Sequence, residues 1–199
     1  MCSLPQNEGL CPTPPPTPPG APPPPGPPPS PAALAQQAAG QLQLPLPTPQ
    51  HSPDLRLRDG RAATLVGEHT WFWTNSADWH PHTARVQAGP VWAAVTATPV
   101  RLSMQPGTGA RSVSCAGPGT PYQRSFGMHA RSPDCEVVYT RSSLGQPEGQ
   151  TTAGWAITWQ VTWRGGMGPE PTEAGVLPVM TSRAQARFAV AEAQSLRTH

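Results

Sequence analysis

The chain contains no lysine, and all 13 of its strongly basic residues are arginine. Only 12% of the 199 residues are charged, and the formal net charge is +2. Domains that bind nucleic acid usually carry a basic stripe or cluster, so we expect no nucleic-acid partner. The Walker A phosphate loop requires a lysine, so we expect no bound nucleotide, and no other cofactor is predicted.

Long apolar runs and catalytic signatures are also missing. No apolar run reaches the roughly 18 residues of a membrane-spanning helix, so no transmembrane segment is predicted. The N-terminus lacks the basic and apolar regions of a signal peptide. Neither GxSxG nor HExxH occurs in the sequence, and the prediction is therefore a non-enzymatic protein.

Proline is abundant and unevenly placed, because 19 of the 30 prolines fall within residues 1–53. Such a segment lacks the backbone donors and the apolar residues needed to fold, so residues 1–31 are predicted to be a disordered arm. Residues 12–31 are typical of polyproline II. They form either a ligand for SH3 or WW domains or a stalk. The stalk is favoured because no arginine flanks the tract.

Residues 32–53 are predicted to be a short helix and linker, and residues 54–199 a folded β domain. Ala32 to Leu44 is rich in Ala, Leu and Gln and follows Pro31, which suits the first turn of a helix. Leu34, Ala38 and Leu42 share one face. This helix either docks on the domain or stays mostly unfolded.

From Thr64 onward the apolar residues recur with period two. In the segment Trp155–Trp163, Trp155, Ile157, Trp159, Val161 and Trp163 lie on one face and smaller, mostly polar residues on the other, which predicts a strand with one buried face. Further strands are predicted at 69–74, 84–88, 91–98, 100–104, 111–115, 135–140 and 184–196, with Pro99 breaking or bending the run. Residues 176–180 contain Pro178 and are predicted to be an edge strand or a loop. Short strands separated by Gly- and Pro-rich turns predict an all-β sandwich.

The four cysteines form two sequence pairs, Cys2 with Cys11 and Cys115 with Cys135. A Cys115–Cys135 disulfide is predicted, because the Gly- and Pro-rich loop between them has little else to hold it. Two reduced, buried thiols are the alternative. A disulfide implies an oxidising compartment, and an extracellular or cell-envelope location is therefore expected. Whether Cys2 and Cys11 pair is left open.

Asp78, His80 and His82 form the densest polar cluster. The two histidines have the spacing of metal ligands on a strand. However, Pro81 disfavours a strand and no third ligand is identifiable, so a surface turn is favoured and no metal is predicted. All seven tryptophans are expected mainly in the core. Trp79 and Trp92 are the two whose register leaves them exposed, which makes them the candidates for a ligand contact.

Several segments resemble uncharacterised secreted proteins of Streptomyces and related actinobacteria. The specific motif is CAGPGTPY at 115–122 followed by Ser132-Pro133-Asp134-Cys135. The segments at 71–73, 83–97, 155–163 and 190–194 support it. The resemblance implies export and a PKD-type, immunoglobulin-like sandwich. Some of these proteins carry automatic names that mention ATP or GTP binding, which the residues here do not support. Relatives tend to have Gly-Asp-Gly where this chain has Pro106-Gly107-Thr108-Gly109.

These observations together predict an exported, non-enzymatic β-sandwich module that binds a protein or a cell-wall glycan. One alternative is a metal-dependent hydrolase centred on Asp78, His80 and His82. The other is a purely structural spacer.

Overall fold

The computed structural model describes residues 28–115, 117–127 and 129–193. Three predictions fall wholly or partly outside these ranges. They are the predicted arm except for its last four residues, the Cys2–Cys11 pair, and the last residues of the predicted 184–196 strand. The helix α1 spans Pro31–Gly40. The strands are β1 Gln50–Ser52, β2 Leu55–Arg56, β3 Ala62–Leu65, β4 His69–Trp73, β5 His82–Ala88, β6 Val91–Gln105, β7 Val113–Cys115, β8 Glu136–Val138, β9 Thr151–Met167 and β10 Glu173–Ala191. Single 3-10 turns lie at Ser76–Asp78, Arg124–Phe126 and Pro147–Gly149.

The larger sheet has the strand order β2-β3-β10-β9-β6-β5, and β7 pairs with the distal part of β6. Most neighbours are antiparallel, but β10 runs parallel to β3. The smaller sheet has the order β1-β4-β8. Phe72 of β4 packs against Trp155 of β9, with ring centroids 5.6 Å apart. The chain is therefore mainly β with two sheets that enclose a shared core, as the period-two pattern predicts.

Strand β9 has the predicted alternation. Trp155, Ile157, Trp159 and Val161 are fully buried, whereas Gln160 and Thr162 are exposed. Each buried indole N–H has a partner, because Trp155 Nε1 donates to the Trp73 carbonyl at 3.1 Å and Trp159 Nε1 donates to Ser182 Oγ at 3.0 Å. Satisfied donors allow tryptophan to fill a core without an unpaired polar group.

The prolines bend strands rather than end them, which corrects the expectation of uniformly short strands. Strand β6 continues through Pro99, and its pairing with β9 shifts register between Pro99 and Arg101. Strand β10 shifts between Leu177 and Met180, next to Pro178. These two register shifts are β-bulges, and both lie opposite β9 at or next to Trp159. The segment 176–180 has no described partner on its outer edge, so the edge-strand alternative is the one observed.

The helix packs on the sheets, which is the docked alternative of the two that the sequence leaves open. Leu34, Ala35 and Ala38 are buried in the main hydrophobic cluster, and α1 contacts β5, β6, β9 and β10. Ser30 caps the helix by accepting a hydrogen bond from the Ala33 N–H at 3.2 Å. The helix ends at Gly40 rather than Leu44, because glycine is a poor helix former. The chain beyond it continues in extended form, with Leu42 and Leu44 packed on the core.

Candidate functional site

The two tryptophans predicted as ligand contacts are not freely presented. Trp92 points to the outward face of the large sheet, yet its residue is only 4% exposed. The Arg85 guanidinium lies 4.0 Å from the centre of its ring, and its Nε1 donates to the Gly168 carbonyl at 2.6 Å. Trp79 is half-buried and packs against the hydrophobic core. A ligand contact at Trp92 requires Arg85 to move.

The structure does not bring Asp78, His80 and His82 together as a ligand set. Asp78 Oδ2 accepts hydrogen bonds from Thr74 Oγ1 at 2.9 Å and from the Thr48 N–H at 2.7 Å. His82 lies on β5 against Trp159, and His80 is exposed. In the part of the chain that the structure describes, no group of three or more His, Cys, Asp or Glu is placed to hold a metal ion.

The predicted disulfide between Cys115 and Cys135 is present. It joins the end of β7 to the segment just before β8, and both cysteines are buried. Gly119 lies between them with a φ of +81°, and a Cβ there would come 2.5 Å from the Phe72 carbonyl oxygen. The disulfide and this close approach hold the loop 117–134 against β4.

A cleft of about 600 Å³ opens beside that loop. Its lining comes from three segments of the chain: residues 52–55, the residues Leu65, Glu68 and His69, and Tyr122 and Arg124 of the loop. Its volume is within the range of small-ligand sites. Pro53, Leu55 and Leu65 make apolar walls, and two carboxylates, one imidazole, one guanidinium and one phenol supply the polar groups.

Aromatic side chains fix the loop side of the cleft. The rings of Tyr122 and Phe126 each lie 5.4 Å from that of Trp71, Tyr122 edge-on and Phe126 stacked. Trp71 Nε1 donates to the Ala130 carbonyl at 2.7 Å. Phe126 remains 45% exposed. The loop therefore rests on a buried indole and still presents an apolar ring to solvent.

Side-chain contacts of Glu68 and His69 connect the lining of the cleft to the residues around it. His129 Nδ1 lies 2.8 Å from Glu68 Oε2. His69 Nδ1 lies 3.2 Å from Glu136 Oε1, in a geometry that makes no hydrogen bond. Glu136 Oε1 instead accepts two hydrogen bonds of 3.0 Å from the Arg131 guanidinium. Arg124 has no carboxylate within 4 Å among the described residues, so its charge is available to a ligand.

Two titratable groups have shifted pKa values: His51, which is next to the cleft in sequence, and Tyr139, which lies in the core. Burial is the main factor that lowers the pKa of His51, and the Asp54 carboxylate and the Pro53 carbonyl act in the opposite direction. The His51 ring stacks on Phe188 at 4.3 Å. Burial raises the pKa of the Tyr139 hydroxyl far above its ordinary value. Both groups are therefore neutral near pH 7.

The sequence reasoning missed the cleft, because its residues come from three separated segments. The one signal that pointed to it was the motif at 115–122, which ends at Tyr122. Among the described residues, no helix combines the length and apolar character required to cross a bilayer. The chain has no significant match among protein-family models, curated proteins or solved structures.

Proposed function

We propose that this chain is an exported, non-enzymatic module that binds an extended peptide segment of a cell-envelope protein. The observation that carries the proposal is the cleft, whose lining combines the charged side chains of Asp54, Glu68 and Arg124 with the apolar side chains of Leu55 and Leu65. We also propose that its fold is a variant of the PKD-type, immunoglobulin-like sandwich found in exported actinobacterial proteins, on the strength of the CAGPGTPY and SPDC segments.

The mixture of charges favours a peptide over a neutral glycan. A peptide supplies cationic and anionic side chains together with apolar ones, and each finds a counterpart in the cleft. The open edges of β1 and β2 add backbone groups, because each strand lies at the end of its sheet. Peptides commonly bind by adding a strand at such an edge, with alternate side chains entering pockets.

Export is supported by the Cys115–Cys135 disulfide, which is typical of proteins of oxidising compartments. The same disulfide fixes the loop that carries Tyr122 and Arg124. A binding surface on a stapled loop loses less conformational entropy when its ligand binds.

Selection from a random peptide library tests the proposal. The full chain is compared with Asp54→Arg/Arg124→Glu, which exchanges the two charges at constant net charge. A matched control, Glu170→Arg/Arg111→Glu, exchanges two exposed charges away from the cleft. We expect the wild type and the control to enrich the same peptides, with an acidic and a basic residue flanking apolar ones. The exchanged variant should bind those peptides at least tenfold more weakly and select the reversed charge order. No enrichment, or enrichment that ignores the exchange, overturns the proposal.

A further inference from the structure

The outward face of β5, β6, β9 and β10 is a long, mainly polar surface separate from the cleft, and Val176 is an exposed apolar residue on it. Along each of these strands, side chains alternate between the core and the outward face, so a residue next to a buried one points away from the core. The outward residues include Thr83, Arg85, Thr98, Arg101, Gln105, Gln160, Thr162, Arg164, Thr181, Arg183, Gln185 and Arg187, all of them exposed. We call this surface the arginine face.

Charge on the arginine face has one sign. Arg85, Arg101, Arg164 and Arg183 have no carboxylate within 4 Å among the described residues, whereas Arg187 pairs with Glu148 at 3.1 Å. No outward position of these four strands carries Asp or Glu. Solvated surfaces usually intersperse both signs, so a face of unpaired arginines creates a local positive potential that the overall charge of +2 conceals.

Strand register places the four arginines in two pairs. Arg85 and Arg164 lie in one cross-strand row on either side of Ala94. With strands about 4.8 Å apart, their backbones are separated by about 10 Å. Arg101 and Arg183 flank β9 diagonally, because Arg101 lies opposite Thr158 and Arg183 lies opposite Ala156. Arg164 and Thr158 are six residues apart on β9, and a strand rises about 3.3 Å per residue, so the two pairs lie about 20 Å apart along the strands.

One arginine of each pair, Arg164 in the first and Arg183 in the second, lines a shallow depression. One depression has a volume of about 190 Å³, and its lining includes Thr83, Ala94, Thr162 and Arg164. The other has a volume of about 240 Å³, and its lining includes Gly154, Ala156, Thr181 and Arg183. Threonine hydroxyls and one arginine thus line each of the two depressions.

We propose that the arginine face binds a linear acidic polysaccharide whose carboxylates contact the two arginine pairs. Arginine matches a carboxylate with two parallel hydrogen bonds, and the threonine and glutamine side chains can exchange hydrogen bonds with sugar hydroxyls. A nucleic acid is the weaker occupant, since single strands bind through bases stacked on exposed aromatic rings. The aromatic residue at an outward position, Trp92, is covered by Arg85. This proposal goes beyond the peptide cleft and shares no residue with it.

Affinity electrophoresis of the full chain through gels containing polygalacturonate, neutral dextran or no polymer tests the inference, with single-stranded DNA as a separate gel-shift arm. The test variant is Arg164→Gln/Arg183→Gln, which removes one arginine from each pair. The control is Arg58→Gln/Arg111→Gln, which makes the same charge change at exposed positions off the face. Because residues 1–55 contain no arginine, the N-terminal region adds no guanidinium group to the measurement.

We expect polygalacturonate, but not dextran, to retard the wild type and the control equally, and the apparent dissociation constant of the test variant to rise at least tenfold. Added salt should weaken binding of the wild type and control more than binding of the test variant, because fewer ionic contacts remain to be screened. No retardation of the wild type, equal loss in the control, or binding to DNA without binding to polygalacturonate overturns the proposal.

Discussion

Replacing Leu34 by alanine tests whether the N-terminal helix is integral to the fold. Leu34 is 2% exposed and lies on the helix face that packs against the large sheet. The substitution removes three buried carbons, each contributing about 0.8 kcal/mol in transfer free energy. The cavity left behind adds to this loss, and buried Leu→Ala changes typically cost 2–5 kcal/mol in total. We expect the free energy of unfolding to fall by about 3 kcal/mol.

Urea unfolding followed by tryptophan fluorescence measures this change, because Trp155 and Trp159 report on the core that the helix covers. With a slope of about 2 kcal/mol per molar urea, a loss of about 3 kcal/mol lowers the midpoint by about 1.5 M. The exposed Gln37 on the same helix provides the control, since Gln37→Ala should change stability by less than about 0.5 kcal/mol.

A small effect of Leu34→Ala would refute the reasoning. If its midpoint and slope matched those of Gln37→Ala, the helix would unfold independently of the sheets, and the folded unit would begin near residue 54 after all. Amide hydrogen exchange separates the two cases further. A docked helix protects its amides to nearly the same extent as β9, whereas an undocked helix of ten residues exchanges rapidly.

Three further perturbations test the loop, the titrating groups and the core. Replacing both Cys115 and Cys135 by alanine should cost about 3 kcal/mol in urea unfolding, since the disulfide closes a loop of 20 residues; an unchanged midpoint would refute this. His51 has a lowered pKa in the folded state, so stability should fall as pH drops through about 6.5, and His51→Gln should flatten the difference between about pH 8 and about pH 5. The hydroxyl groups of Tyr139 and Thr151 both donate hydrogen bonds to the buried carbonyl of Pro106. Each single change, Tyr139→Phe or Thr151→Val, should cost about 1 kcal/mol, and the double change more than their sum, since only it leaves the carbonyl unpaired; strict additivity would contradict this.

The strand pattern was predictable where one periodicity acts without interruption. The alternation in Trp155–Trp163 fixed both the strand and its buried face, because each inward residue is large and apolar. The lengths of the long strands were not predictable from Pro99 or Pro178. A proline ends an isolated strand, but here β9 provides a continuous ladder beside each of them, and a bulge absorbs the missing donor.

The candidate sites were less predictable than the fold, because they depend on contacts between distant segments. The register predicted that Trp92 is exposed, whereas the residue is buried, because periodicity carries no information about Arg85, which lies on the neighbouring strand and covers the ring. The cleft joins residues near 53, 68 and 123, and only the disulfide anchoring the last of these was predictable from sequence. Spacing along the chain cannot reveal which loops converge.

The arginine face is recognised by the position of its charged residues, not by the use of arginine instead of lysine. Because the chain contains no lysine, arginine at an exposed position is no evidence for selection of a guanidinium over an ammonium group. The informative fact is where the 11 acidic residues lie, since none occupies an outward position on β5, β6, β9 or β10. Glu148 meets Arg187 at one end of the face, and Glu170 and Glu173 lie at the other end near the turn between β9 and β10. The acidic groups thus border the face without neutralising its centre, and the introduction of a carboxylate between the two arginine pairs by Thr162→Glu should weaken polyanion binding in the same electrophoresis assay.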